Sequence, residues 1–212
     1  MLDFADLGFE MASASTLVID YGDLPSLVAV ALQRDPMQMV LWHPSYATDA
    51  SEKLLNAAKE HGEVFGIQTV FMSKRRNELP SSQKHALALK EADLLLAALI
   101  AATESGCQKV VWPKQVGPDP KQICIAVERA NLVVSLAETG QTSSLLMIDL
   151  PLVDLSEKQI VDLGDDQGML DQPFWPCEGG QKAPCGTCID CRRWAKGFEA
   201  AGQPWPWAAV AV

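Results

Sequence analysis

Four cysteines near the C-terminus carry the clearest chemistry in this chain. Cys177, Cys185, Cys188 and Cys191 follow the pattern C-x7-C-x2-C-x2-C. The two C-x2-C steps share Cys188 and set three sulfurs on one tight turn. Cys177 must close from across the loop Glu178 to Pro184, where Gly179 and Gly180, helped by Gly186, let the backbone bend. Four thiolates in a tetrahedron at about 2.3 Å are what a structural zinc ion takes, with no position left open for catalysis. An iron–sulfur cluster also takes four cysteines, and a C-x2-C pair can run thiol redox chemistry. Lys182, Arg192 and Arg193 stand close enough in sequence to offset the thiolate charge. Cys107 and Cys124 sit in apolar, helix-associated surroundings and are expected to be buried small hydrophobes.

The segments before this cluster must supply the scaffold. Five short apolar runs read as strands: Thr16 to Asp20, Met37 to Trp42, Ile67 to Met72, Lys109 to Trp112 and Leu145 to Leu150. Most show little alternation, which suits strands buried on both faces. Helical patterns fill the gaps at Pro25 to Gln33, Thr48 to His61, Gln83 to Ser105, Pro120 to Glu138 and Ser156 to Leu163. Asp49 or Ser51 is the expected N-cap of the second helix and Gly62 its end. Ser156 and Gln159 are placed for a capping box.

Strands alternating with helices predict a doubly wound, mostly parallel five-stranded α/β sheet with helices on both faces. Ligands of such sheets sit at the carboxyl ends of the strands, where strand order reverses. Residues 1–170 would form this domain. Residues 171–212, rich in proline, glycine, cysteine and tryptophan, would form a zinc-stapled appendage. Trp175, Trp194, Trp205 and Trp207 are expected to pack it down, and the apolar ending Trp205 to Val212 to be buried, across a dimer interface.

The formal net charge of −10 gives no general reason to coat nucleic acid. The short basic runs Lys74 to Arg76 and Arg192 to Lys196 read as solvated faces. Leu94 to Ala102, the longest apolar stretch, is too short to span a bilayer. Met1 to Ser15 carries acidic residues and no basic one, unlike a secretory signal. A cytoplasmic location is therefore expected, where thiols stay reduced and clustered cysteines read as metal ligands. Of the histidines, His43 follows a strand, where this fold places ligands, and His61 is read at a helix C-terminus. His85 has no evident role.

The stretch Leu150 to Gly202 resembles the C-terminal end of 7-cyano-7-deazaguanine synthases. The resemblance rests on P-L-V-D-L-S (Pro151 to Ser156), I-V-D-L-G (Ile160 to Gly164), P-C-G-T-C-I-D-C-R-R (Pro184 to Arg193) and K-G-F-E-A-A-G (Lys196 to Gly202). It implies an adenine-nucleotide alpha-hydrolase-like, PP-loop domain and a four-cysteine zinc site. It also implies ATP-dependent adenylation of 7-carboxy-7-deazaguanine, amination through the amide to the nitrile of a queuosine precursor, and a homodimer.

The family's phosphate loop has the form S-G-G-x-D-S, whose glycines let backbone N–H groups cradle pyrophosphate at a helix N-terminus. Here the loop reads Tyr21, Gly22, Asp23, Leu24, Pro25, Ser26. Gly22 and Ser26 are kept as cofactor-binding candidates. Tyr21 and Asp23 replace small residues, and Pro25 has no N–H to offer. Asp20 and Asp23 add negative charge, and two like charges about 5 Å apart repel by roughly 1–3 kcal/mol. Elsewhere His43-Pro44-Ser45 replaces a Tyr-Gly-Gln pattern, and Lys90-Glu91 matches Arg-Asn. Pro118 and Asp119 match part of a Tyr-Pro-Asp-Cys-Arg loop, making Lys90, Pro118 and Asp119 the substrate-binding candidates.

Three readings follow. The first is a zinc protein that has lost ATP chemistry and acts by binding a deazapurine, a nucleotide or a partner. The second is an active ligase in which Asp20 and Asp23 hold Mg²⁺ for the phosphates. The third, a nucleic-acid adaptor, is opposed by the acidic charge.

Overall fold

The structure, a computed structural model, describes residues 15–44, 48–71, 84–137 and 146–208. Met72, Gln83, Glu138, Leu145 and the basic run Lys74 to Arg76 lie outside the described residues, as do the ends of the chain. Strands β1 (Thr16–Ile19), β2 (Met39–His43), β3 (Thr69–Phe71), β4 (Lys109–Val111) and β5 (Met147–Asp149) form one sheet in the order β3-β2-β1-β4-β5. Each neighbouring pair runs parallel, with Val18 opposite Leu41 and Val111.

The helices are α1 (Leu24–Ala31), α2 (Ser51–Phe65), α3 (Lys84–Glu104), α4 (Pro120–Ala137), α5 (Glu157–Asp166) and α6 (Ile189–Ala200). Successive strand residues turn to opposite faces. Val18 and Leu41 therefore join Leu27, Val28, Ile160 and Phe198 under α1, α5 and α6. Leu17, Ile19, Val40 and Trp42 join Leu95, Ala98 and Val133 under α3 and α4. Both faces being covered explains why the strand sequences lack alternation. Among the described residues no helix is long and apolar enough to cross a membrane.

Several boundaries differ from those read in the sequence. The second helix does not stop at Gly62: it runs to Phe65 and ends on Gly66, which takes a left-handed φ of 64°. Gly62 instead lies inside it, where an added Cβ would fall 2.3 Å from Thr69 Oγ1. His61 is thus a buried mid-helix residue and not a terminal one. Neither Asp49 nor Ser51 caps this helix. Ala50 holds the N-cap position without a side-chain bond, and the Ser51 hydroxyl turns back to the Thr48 carbonyl. The expected capping box of Ser156 and Gln159 is present at α5. Helix α6 was not anticipated; Cys188 caps it by accepting from the Cys191 N–H.

The segment after residue 171 is continuous with the main core. Phe174, Trp194 and Phe198 are buried in the same cluster as Leu24 and Leu27. Trp207 packs edge-on against Phe174 and Trp205 against Phe198, at centroid distances of 5.0 and 5.4 Å. Cys107 is buried, as expected, whereas Cys124 is exposed on α4.

Candidate ligand cleft and metal centre

The turn after β1 is where the strand order reverses: the chain leaves β1 toward β2 on one side, and β4 lies on the other. Two positions shape this turn. Gly22 has φ 76°, and a Cβ there would lie 2.1 Å from the Leu54 carbonyl oxygen of α2. Its own carbonyl accepts from the Trp175 N–H at 2.8 Å. Gly22 is therefore required by close backbone packing and by its dihedral angle.

Asp23 is the N-cap of α1. Its Oδ1 accepts from Ser26 N at 3.0 Å and from Ser26 Oγ at 2.6 Å. Ser26 Oγ in turn accepts from Tyr21 N at 2.9 Å, and Gly22 N donates to Asp20 Oδ1 at 2.8 Å. Three loop N–H groups, those of Tyr21, Gly22 and Ser26, are thus satisfied by the protein's own oxygens. A helix N-terminus with free donors is an anion site; this one is filled by a carboxylate. Burial pushes the Asp23 carboxyl above its ordinary value, against the lowering effect of the Ser26 bonds.

Asp20 does not face the loop's outer side. Its carboxylate is fully buried and meets His61 Nδ1 at 2.9 Å. His61 Nε2 lies 2.7 Å from the Pro173 carbonyl. An imidazole whose two nitrogens both face acceptors can donate from both only when doubly protonated, a form this pairing favours. Burial alone would lower its pKa, but the Asp20 charge, its hydrogen bond and the Pro173 carbonyl outweigh that and raise it. The sequence offered no sign of this pair, because His61 and Asp20 come from different elements. His43 Nδ1 bonds the Asp20 carbonyl oxygen at 2.7 Å, and burial holds its pKa below the ordinary value.

Outside the loop lies a cavity of about 380 Å³ at the carboxyl ends of β1 and β4. Tyr21 and Trp112 form an aromatic wall, joined by the Trp112 Nε1–H donating to the Tyr21 hydroxyl at 2.9 Å. Lys90, Lys114 and Arg193 bring positive charge, and Asp23 and Glu91 negative. Glu91 is held by Lys114 and by Arg129. Burial, aided by the nearby Arg193 charge, lowers the Lys114 pKa. Lys90 is thus placed in the cleft. Gly22 and Ser26 lie buried behind it, and neither Pro118 nor Asp119 is among its lining residues. Asp119 instead serves the start of α4, accepting from Lys121 N at 3.0 Å. Sequence reasoning missed Lys114, Glu91's partners and Trp112, which lie far apart along the chain.

The four cysteines converge. Their sulfurs all lie within 4.8 Å of one another, with Cys185 to Cys191 and Cys177 to Cys188 at 4.0 Å. A tetrahedral metal–thiolate site at 2.3 Å has sulfurs roughly 3.8 Å apart, so the donor set fits such an ion. Backbone N–H groups of Gly179, Cys185, Cys188 and Cys191 point at the sulfurs at 3.3–3.4 Å, an arrangement suited to thiolates. Hydrogen bonds from Thr187 and Cys188 pull the Cys185 thiol down to about 6, while burial pushes Cys177 and Cys191 up. Cys177 and Cys191 also pack on Trp175 and Ala50, so the cluster nails the start of α6 to α2.

Comparison with known proteins places these features. The family model described as "Queuosine biosynthesis protein QueC" matches residues 94–202. The 7-cyano-7-deazaguanine synthase of Methanothrix thermoacetophila is 41% identical over 213 residues, covering 87% of this chain and 94% of that protein. That of Sulfurovum sp. is 33% identical over 76 residues, which is 36% of this chain and 33% of the relative. For several such relatives the match thus spans about a third of their length. The solved NMN synthetase of Francisella tularensis shares the fold, with a TM-score of 0.50 at 13% identity over 94% of this chain and 82% of its own.

Proposed function

Because this chain belongs to the 7-cyano-7-deazaguanine synthase family, we propose that it binds a deazapurine-type molecule in the cleft beside Tyr21 and has given up the ATP-dependent step. The observation that carries the reading is the Asp23 carboxylate on the N-terminus of α1. In a PP-loop that position takes the pyrophosphate, and its donors are worth about 1.5–3 kcal/mol each to a charged acceptor. Here the Tyr21, Gly22 and Ser26 donors are taken by the protein's own oxygens, and a carboxylate stands in the way. The cleft itself keeps features suited to a planar anion: the Tyr21 and Trp112 rings and the charge of Lys90, with Lys114 and Arg193 paired to carboxylates at its edge.

The alternative, an active ligase with Mg²⁺ on Asp20 and Asp23, needs Asp20 at the surface. Asp20 is buried and committed to His61 and Gly22. Calorimetry of the full chain with ATP, with and without Mg²⁺, tests the reading. No binding below millimolar is expected; micromolar affinity, or magnesium-dependent pyrophosphate release with a deazapurine carboxylate, would overturn it.

The four cysteines hold a structural zinc ion on this reading, since a closed four-sulfur set leaves no site for substrate. Elemental analysis should find one zinc per chain, and iron in its place would refute this. The reading also makes the protein a homodimer in the cytoplasm. Leu132 and Leu136, exposed on α4 at 63% and 62%, support the dimer. Sedimentation should give a dimer that Leu132→Glu converts to monomer; a monomeric native chain would exclude it.

A further inference from the structure

Neighbouring residues of the segment leading to Cys177 are held by different parts of the molecule. Phe174 packs into the main core with Leu24 and Leu27, and the Pro173 carbonyl is bonded to His61. Trp175 instead belongs to a separate small cluster, whose other members among the described residues are Ala50, Leu54 and the four cysteines. Its backbone N–H donates to the Gly22 carbonyl, in the loop after β1, at 2.8 Å. Its indole Nε1–H donates to the Gly179 carbonyl at 3.0 Å, within the loop between Cys177 and Cys185. One residue thus bonds the loop after β1 through its main chain and the cysteine loop through its side chain.

We infer that metal occupancy of the four cysteines controls the order of the loop after β1, so that the ligand cleft is complete only in the metal-loaded chain. The small cluster has little else to hold it: Ala50, Leu54 and Trp175 supply its ordinary apolar contacts, and the cysteines supply the rest. A bound metal cross-links four points of the chain and neutralises the thiolates. Without it, sulfurs within 4.8 Å of one another share no bond, and the cluster is the part of the fold with fewest contacts to lose. The main core is built from other residues and does not depend on it. Loosening therefore begins at Trp175 and reaches two walls of the cleft. Gly22, whose carbonyl loses its partner, lies between Tyr21 and Asp23, both of which line the cleft. Arg193 lines it too, two residues beyond Cys191 on α6, whose N-cap is Cys188. The inference rests on the reading of the cysteines as a metal centre and is independent of the fate of the ATP step.

Amide hydrogen exchange of the full chain tests it, zinc-loaded and after chelation, with zinc content measured on both samples. On zinc removal the Tyr21, Gly22 and Trp175 amides should exchange at least about tenfold faster. The Leu41 amide, bonded to the Gln68 carbonyl inside the sheet, should change by no more than about twofold. Returning zinc should restore the protection. Trp175→Ala keeps all four cysteines but loses the ring, so it should still bind zinc while Tyr21 and Gly22 exchange fast with or without it. Trp175→Phe keeps a ring and should stay metal-dependent. Zinc bound and removed with unchanged exchange at Gly22 and Trp175 would overturn the inference and leave the metal reading standing. Equal acceleration at Leu41 would also overturn it, since the metal would then hold the whole fold. A chain that takes up no metal would overturn both.

Discussion

His61 Nδ1 lies 2.9 Å from Asp20 Oδ2, and neither side chain exposes any surface. The ring's other nitrogen meets the Pro173 carbonyl at 2.7 Å. This one buried side chain therefore ties the end of β1, the middle of α2 and the stretch of chain leading to Cys177. A folded-state pKa raised above 6.5 means the protein binds this proton more tightly when folded. The stabilisation is complete below pH 6.5 and is lost as pH rises through the folded value. Urea unfolding midpoints should thus fall from neutral toward alkaline pH, and the slope should flatten in His61→Gln. An identical profile in the variant would remove the linkage.

Breaking the pair is a separate matter from titrating it. His61→Leu leaves the Asp20 carboxylate buried with only the Gly22 N–H among its named donors. Removing one partner of a buried ion pair costs about 3–5 kcal/mol. The double variant His61→Leu with Asp20→Leu should recover part of that loss. Additive losses in the two single variants and their combination would show the residues are not coupled.

Gly22→Ala should destabilise the fold by more than about 2 kcal/mol, because a methyl group meets the Leu54 backbone at a left-handed dihedral angle. Denaturant unfolding checks this. A neutral substitution would mean that α2 can retreat, and would reopen a phosphate-binding role for this glycine.

Asp23→Ala removes the cap of α1 and should cost about 1 kcal/mol, while Asp23→Asn, still an acceptor, should cost less. If Asp23→Ala instead raises stability in phosphate buffer relative to chloride, the carboxylate was standing where an anion can bind. A loss near zero in every buffer would contradict its capping role.

On the zinc reading, chelation or Cys188→Ala should lower the thermal midpoint and change Trp175 fluorescence, since that ring packs against Cys177 and Cys191. Zinc content measured on the same samples should fall together with the midpoint. Full zinc occupancy in Cys188→Ala would exclude that cysteine as a ligand.

The convergence of the cysteines was legible by itself because all but Cys177 of the four lie within seven residues of one another, so local chain geometry determines where their sulfurs go. The strands and most helices were legible for the same reason: apolar runs, caps and glycines act over a few residues. Asp23, standing where the family pattern has glycine, was visible too. The direction in which that carboxylate turns was not. Only the folded chain decided that Asp23 turns back onto Ser26 and that Asp20 turns inward to His61. Only the fold brought Trp112, Lys114 and Arg193 to the same cleft as Tyr21. Such partners are separated by tens of residues, and nothing in a local window constrains them. They meet because parallel strands deliver their carboxyl ends to one edge and because the cysteine cluster pins α6 beside it.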